Sequence, residues 1–331
     1  MIRPFDWRDL PLLHRVRGRG LCLAAQLAYT RGPQALAGVI VDAFSGGRSP
    51  ATLVVRDQTA ARGPGGPSGI GQLDHRPGQP HARLAFFAPV ELMDLASGTE
   101  LLEALARSAG ERGAQNLIAE VEEHNPAFEQ LRRAGFSIYA RQRIWRADPP
   151  ETAGARPSAA VEPGESLWRA ESPADILPIR NLALNLVPSL VQQIEPLIER
   201  QGGGMVHGSD EELLAYLEIE RGPLGVWIQP YLHPAVEYAE QLLSSFLAAA
   251  VDPRRRPVYA CVRSYQSWMN GALDRLGFLP EADQAVMVRR LAVPLRETAP
   301  LVERALAAAR AEPGPAGFAK SGDRSSGVGG R

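Results

Sequence analysis

Two halves of this chain repeat one another in register, and that repeat limits the possible folds more than any other feature. In the first half an apolar-x-Pro unit, Phe87-Ala88-Pro89, precedes Gly98, which is followed by Thr99-Glu100-Leu101-Leu102. In the second half Ile228-Gln229-Pro230 precedes Ala239, followed by Glu240-Gln241-Leu242-Leu243. Nine residues separate the Pro from the small residue in both copies. Each half then carries a strand-like run, Leu117–Val121 and Val258–Val262, and closes on a Gly-Phe pair. Those pairs, Gly135-Phe136 and Gly277-Phe278, fall 46 and 47 residues past the prolines. Four landmarks with one residue of drift indicate a duplication.

A length of 331 residues accommodates two ordinary domains, each with its own core. Asp148 to Glu165 is rich in Pro, Ala and Glu without apolar periodicity, as an extended linker would be. The expected organisation is a first domain over 1–147, a linker over 148–165 and a second domain over 166–293. A C-terminal helix over 294–312 and a Gly/Ser-rich disordered tail over 313–331 follow. Apolar residues make up 45% and charged residues 22%, and no run approaches the roughly 18 apolar residues of a membrane span. A soluble protein with no membrane partner is expected. No signal peptide is visible, which makes the cytoplasm the default compartment. The net charge of −1 argues against nucleic acid as a partner. Arg far outnumbers Lys, with Lys320 the single lysine, which suggests a GC-rich bacterial genome. Cys22 and Cys261, one in each half, read as small core residues, since two cysteines make no zinc cage and a cytosolic disulfide is disfavoured.

Ile2 to Phe5 reads as a strand, and Asp6 caps a helix whose Leu10, Leu12, Leu13 and Val16 form a buried stripe. Thr52–Val55, Ile70–Leu73 and Arg83–Ala88 read as strands, the first two joined by the Gly/Pro-rich turn 62–67. Thr99–Arg112 is a helix stopped by Gly113, Leu117–Val121 a strand, Pro126–Ala134 a helix and Ile138–Arg146 a last strand. The second half opens helix-heavy over Asp175–Arg200, and its second strand is hard to find. The whole predicts an α/β (α+β) class, with mixed, mostly antiparallel sheets flanked by helices.

On these landmarks the chain resembles the GCN5-related N-acetyltransferase (GNAT) superfamily, over 1–147 and more weakly over 166–293, in a tandem form with a degenerate second copy. In that family a strand ending near a Pro splays from its neighbour, and the pantetheine arm of acetyl-CoA lies in the opening. The next loop, an Arg/Gln-x-x-Gly-x-Gly/Ala motif, opens a helix whose free N–H groups hold the pyrophosphate. The matching stretch here is Met93-Asp94-Leu95-Ala96-Ser97-Gly98, which keeps only the last small position. The resemblance implies acetyl-CoA as cosubstrate, held by Phe87, Ala88, Leu95, Ala96, Ser97, Gly98, Thr99 and Asn125 of the first half. The second copy reads Pro234-Ala235-Val236-Glu237-Tyr238-Ala239. Pro234 lacks an N–H, and the Glu237 carboxylate stands where the first Gly belongs, so this copy is expected to have lost cofactor binding.

The family reaction is attack of an amine on the thioester, assisted by a base and often by a Tyr four residues before the Gly-Phe pair. Leu131 and Leu273 stand at those positions, so neither copy has that Tyr. Glu120 is the candidate base, Glu122 shares its strand face, and His124 is placed to polarise the thioester or relay a proton. The competing reading makes these a solvated strand end and a surface histidine. No His pair has HExxH spacing, so no metal is expected. His75 and His81 flank a hairpin tip that lines an acceptor site if it lines anything; Arg17-Gly18-Arg19-Gly20 reads as a helix stop, and Pro253-Arg254-Arg255-Arg256-Pro257 as a loop. Two functions stay open. One is acetyl transfer to an amine of a small molecule or protein by a monomer or homodimer, with the cleft in the first domain. The other is a GNAT-fold pseudoenzyme serving as a ligand- or protein-binding module. The tandem arrangement is also similar to family members that acetylate a thiol-cofactor precursor, a substrate these residues do not single out.

Overall fold

The structure, a computed structural model, describes residues 1–32, 51–56, 68–149, 167–196, 203–209, 212–249 and 256–292, all within one unit, Met1–Val293. The turn 62–67, residues 150–165 of the expected linker, Arg254 and Arg255, and the expected helix and tail after 293 lie outside the described residues. The first half runs β1 (Ile2–Pro4), α1 (Leu10–Val16), β2 (Leu21–Cys22), α2 (Ala25–Arg31), β3 (Ala51–Arg56), β4 (Ser68–Asp74) and β5 (His81–Ala88). It continues with α3 (Ala96–Glu111), β6 (Asn116–Val121), α4 (Pro126–Arg133) and β7 (Ser137–Ala147). The second half runs β8 (Arg169–Ala170), α5 (Ile176–Leu186), α6 (Ser189–Ile194), β9 (Met205–Gly208), β10 (Leu213–Arg221) and β11 (Val226–Leu232). It ends with α7 (Ala239–Ala249), β12 (Val258–Arg263), α8 (Asn270–Arg275) and β13 (Leu279–Arg290).

The strands form one sheet, in the order β1-β3-β4-β5-β6-β13-β7-β12-β11-β10-β9-β8, with β2 attached to β5. Among the described residues only β5–β6 and β11–β12 pair in parallel, which is the mixed, mostly antiparallel sheet expected. The copies exchange their closing strands. β13 of the second half lies between β6 and β7 of the first, and β7 pairs with β12 of the second. At the middle of the β7–β13 ladder Gln142 faces Gln284, and the Gln142 amide donates to the Gln284 side-chain oxygen at 2.8 Å. These glutamines follow their Gly-Phe pairs at the same spacing, so an internal dyad passes close to this pair.

On one sheet face α3 and α4 close a core around Leu101, Leu105, Leu117 and Phe128, and α7 and α8 close another around Leu242, Phe246 and Leu273. Full burial of each such side chain contributes about 1.5–3 kcal/mol. On the other face, α1 covers β4 and β5 through Leu12, Leu13 and Val16, while Leu10 of the expected stripe is exposed. Helices α5 and α6 cover the central strands, and α2 crosses to the second half, where Tyr29 stacks on Trp227.

The Gly-Phe landmarks are structurally equivalent. Gly135 and Gly277 have φ of 85° and 82°, and the Phe136 and Phe278 amides each donate to the Leu five residues earlier. Such a left-handed helix end favours glycine. The proline landmarks are not equivalent, because Pro89 follows the end of β5 whereas Pro230 lies inside β11, opposite Leu217. The strands missing from the second-half reading are β9 and β10, and Pro188 divides the helical stretch into α5 and α6.

Candidate functional site

Strands β5 and β6 pair only from His81↔Asn116 to Arg83↔Ile118 and then diverge. The gap they leave is bridged by the chain itself. In β2, Leu21 pairs with Phe87 and Cys22 with Phe86, on the edge of β5 opposite β4. The Leu23 amide donates to the Ala85 carbonyl at 3.0 Å, and the Glu120 amide donates to the Leu23 carbonyl at 2.8 Å. Residues 21–23 are therefore hydrogen-bonded to both splayed strands. Gly20 makes the approach possible, since a Cβ there would fall 1.8 Å from Cζ of Phe86. The edge of Ala85–Phe87 along which a pantetheine arm would lie is already paired.

The second-half opening is filled differently. β11 and β12 pair only over Val226↔Val258 to Ile228↔Ala260. Gln266, from the 3-10 turn that follows β12, is 2% exposed and reaches the freed edge of β11. In the amide orientation that satisfies both groups, its nitrogen donates to the Pro230 carbonyl (3.0 Å) and its oxygen accepts from the Leu232 amide (3.3 Å). An amide of the protein sits against this strand edge.

At the start of α3 the Ala96 and Ser97 amides have no backbone partner among the described residues, while those of Gly98 and Thr99 donate to the Leu95 carbonyl. Gly98 is buried, and a Cβ on it would lie 1.9 Å from the Leu92 carbonyl oxygen. Its smallness serves the packing of α3 on the preceding 3-10 turn. Leu95, Ala96 and Thr99 are exposed, and Asp94 accepts a hydrogen bond from Gln130 beside this helix end. Asn125 caps α4 by accepting from the Ala127 amide at 2.9 Å. Phe87 and Ala88 have fully buried side chains in two separate cores.

On the α5–α6 side of the sheet lies a cavity of about 660 Å³. Its floor joins both halves: Arg83 of β5, Glu120 of β6, Gln142 of β7, Arg263 of β12 and Tyr231 of β11. Its roof is largely apolar, from Ile176, Ile179, Ala183, Val187 and Val191. His81 and Gln79 of the β4–β5 hairpin also line it. Its centre of charge is Glu195, just past α6. One oxygen of Glu195 accepts from Arg263 Nη2 and from the Tyr139 hydroxyl, both at 2.7 Å, and the other accepts from Arg83 Nη2 at 2.8 Å. Arg83 Nη1 donates to Glu120 at 2.8 Å, and the other Glu120 oxygen accepts from the Ala25 amide opening α2.

Burial pushes the Glu195 carboxyl up, but the Arg263 and Arg83 charges and the Tyr139 hydroxyl outweigh it and hold the group below the usual range. Both guanidiniums are held above their ordinary range by Glu195, against the opposing effect of burial. The Glu195 carboxylate and both guanidiniums therefore stay ionised, and with Glu120 they form a set of two acids and two arginines. Two arginine nitrogens are left over. Nε and Nη1 of Arg263, a residue 3% exposed, have no hydrogen-bond partner among the described residues.

Of the three acid–base candidates only Glu120 lines this cavity. Glu122 and His124 pair with each other at 2.8 Å outside it, His124 being 83% exposed. Arg83, Glu195, Arg263 and Tyr139 escaped the sequence reading. The available signals were weak: a charge at the end of the apolar run Tyr259–Val262, and an acid directly after the short helix α6.

Neither protein-family models nor curated proteins match this sequence. Solved structures do match the fold. A tandem GNAT protein from the clavulanic acid biosynthesis pathway, solved without acetyl-CoA, superposes with a TM-score of 0.54 at 16% identity, covering 88% of this chain and 98% of that one. A GCN5-related N-acetyltransferase from Sphaerobacter thermophilus gives a TM-score of 0.52 at 12% identity, covering 88% and 95%. These likenesses define the class: the chain has the GNAT fold. Within that class it is of the tandem form, with both copies in one sheet. In each copy the opening where this fold's acetyl-CoA would lie is contacted by the chain itself, by β2 in the first and by the Gln266 side chain in the second.

Proposed function

We propose that this chain is a small-molecule binding protein on a tandem GNAT scaffold, with its ligand in the central cavity. One observation carries this reading: residues 21–23 hold the splayed edges of β5 and β6 through backbone hydrogen bonds. A pantetheine arm competing for that edge must break them and displace Leu23, which is 1% exposed. The cavity itself is open and has the size of a small-molecule site.

A second reading, acyl transfer to an amine of a small molecule or protein, is favoured by the Ala96 and Ser97 amides at the start of α3, which have no backbone partner among the described residues, and by Glu120 on the cavity wall. It requires residues 20–23 to leave the opening. Calorimetric titration of the full chain with acetyl-CoA separates the two. The first reading expects no binding up to millimolar concentration. Binding in the micromolar range would overturn it in favour of the second.

A further inference from the structure

We propose that the central cavity selects a small carboxylate with an apolar body, whose head group is held by Arg263; this rests on the reading of that cavity as the working site. Arg83 spends both terminal nitrogens on protein carboxylates, Nη1 on Glu120 and Nη2 on Glu195. Arg263 spends only Nη2, and its Nη1 and Nε are buried with no partner among the described residues. A buried guanidinium N–H without an acceptor is costly, and an ionised oxygen is the acceptor it pairs with best. Tyr231, on the neighbouring strand and also on the floor, accepts from Gln229 at 2.9 Å and keeps its own hydroxyl proton to donate. Arg263 and Tyr231 both line this one cavity.

Among the described residues four carboxylates line the cavity, Glu120, Glu171, Glu195 and Glu218, and the two beside Arg83 and Arg263 are already engaged. Glu120 and Glu195 are each taken up by a guanidinium, and Glu120 also by the Ala25 amide. An ammonium head would enter a space where two arginines are already fixed and those acids are engaged. The roof residues Ile176, Ile179, Ala183, Val187 and Val191 suit an alkyl or aryl body, and Arg180 of α5 adds a further positive charge at the cavity wall.

Three probes of one shape test this: 3-phenylpropionate, 3-phenylpropionamide and 3-phenylpropylamine, titrated into the full chain by calorimetry and thermal shift. The carboxylate is expected to bind at least tenfold more tightly than the amide, and the amine not to bind. In Arg263→Gln the preference for carboxylate over amide should vanish. Ile179→Trp, which fills the cavity from the roof, should abolish binding while melting like the parent. Amine binding as tight as carboxylate binding would overturn the proposal, as would undiminished carboxylate binding in Arg263→Gln or no binding by any probe. If Arg263→Gln does not fold, the ranking of probes on the parent and the Ile179→Trp result still decide. Acetyl-CoA binding would defeat the reading of function above without altering the probe ranking, so the two failures are distinguishable.

Discussion

Asp9 and Asp175 show how much of a repeat can hide in single residues. Asp9 is fully buried, takes Arg3 through two bonds of 2.7 Å, accepts from the Asp6 amide and meets Arg56. Asp175 takes Arg169 through two bonds of 2.6 Å and accepts from the Ser172 amide and hydroxyl. The same device opens both copies, a strand arginine six residues before a buried aspartate, yet no spacing rule drew attention to it. The Arg169 hydrogen bonds hold the Asp175 carboxyl well below its usual range; at Asp9 burial pushes upward, but the Arg3 and Asp6 bonds prevail. Depressed carboxyls stabilise the fold above their unfolded pKa of about 3.9, and that contribution is lost as pH falls through the folded value. Asp175→Asn is therefore expected to lose about 1.5–3 kcal/mol near neutral pH and progressively less below about pH 4. Urea unfolding of the parent and variant across that range measures the difference. Gly98 was legible as a place where only a small residue fits, but the reason lies in the Leu92 carbonyl, a contact distant enough in conformation to be invisible in the string. Gly98→Ala should cost about 1–3 kcal/mol by overpacking, seen as a lower melting temperature irrespective of any nucleotide.

Among the elements, the long helices and most strands were readable because one face of each is apolar at the right period. β10 was not, because burial on both faces removes the alternation that marks a half-exposed strand. β2 escaped for another reason: its two residues become a strand only because β5 and β6 part and leave a free edge. The clue was Gly20 ahead of Leu21-Cys22-Leu23, a small residue before a short apolar run. Gly20→Val would place its side chain in the Phe86 ring and is expected to destabilise by about 1–3 kcal/mol. Hydrogen exchange should show the Leu23 and Glu120 amides losing protection while those of β10 and β11 keep it. Equal loss in both places would mean that β2 has no local role in closing the opening.

For the molecule as a whole, duplication was legible and the exchange of closing strands was not. A repeated sequence does not say which copy a terminal strand will join, because β7 and β13 carry equivalent edges; the connections and the dyad at Gln142 and Gln284 decide it. The charged cavity was hidden for the same reason, since its arginines come from opposite halves. The halves should then fail as separate units. A fragment of residues 1–147 leaves β6 and β7 without the strand between them, and it is expected to lack a cooperative thermal transition or to self-associate, as circular dichroism and size-exclusion chromatography would show. Mixing it with residues 166–293 should restore the transition.

The position of β13 also sets a schedule for synthesis. Val121 of β6 waits for Ala285, one of the last described residues to emerge from the ribosome, so the first copy is translated long before its sheet can close. Throughout that interval the growing polypeptide displays two unpaired strand edges, the kind of surface that nascent-chain chaperones shield.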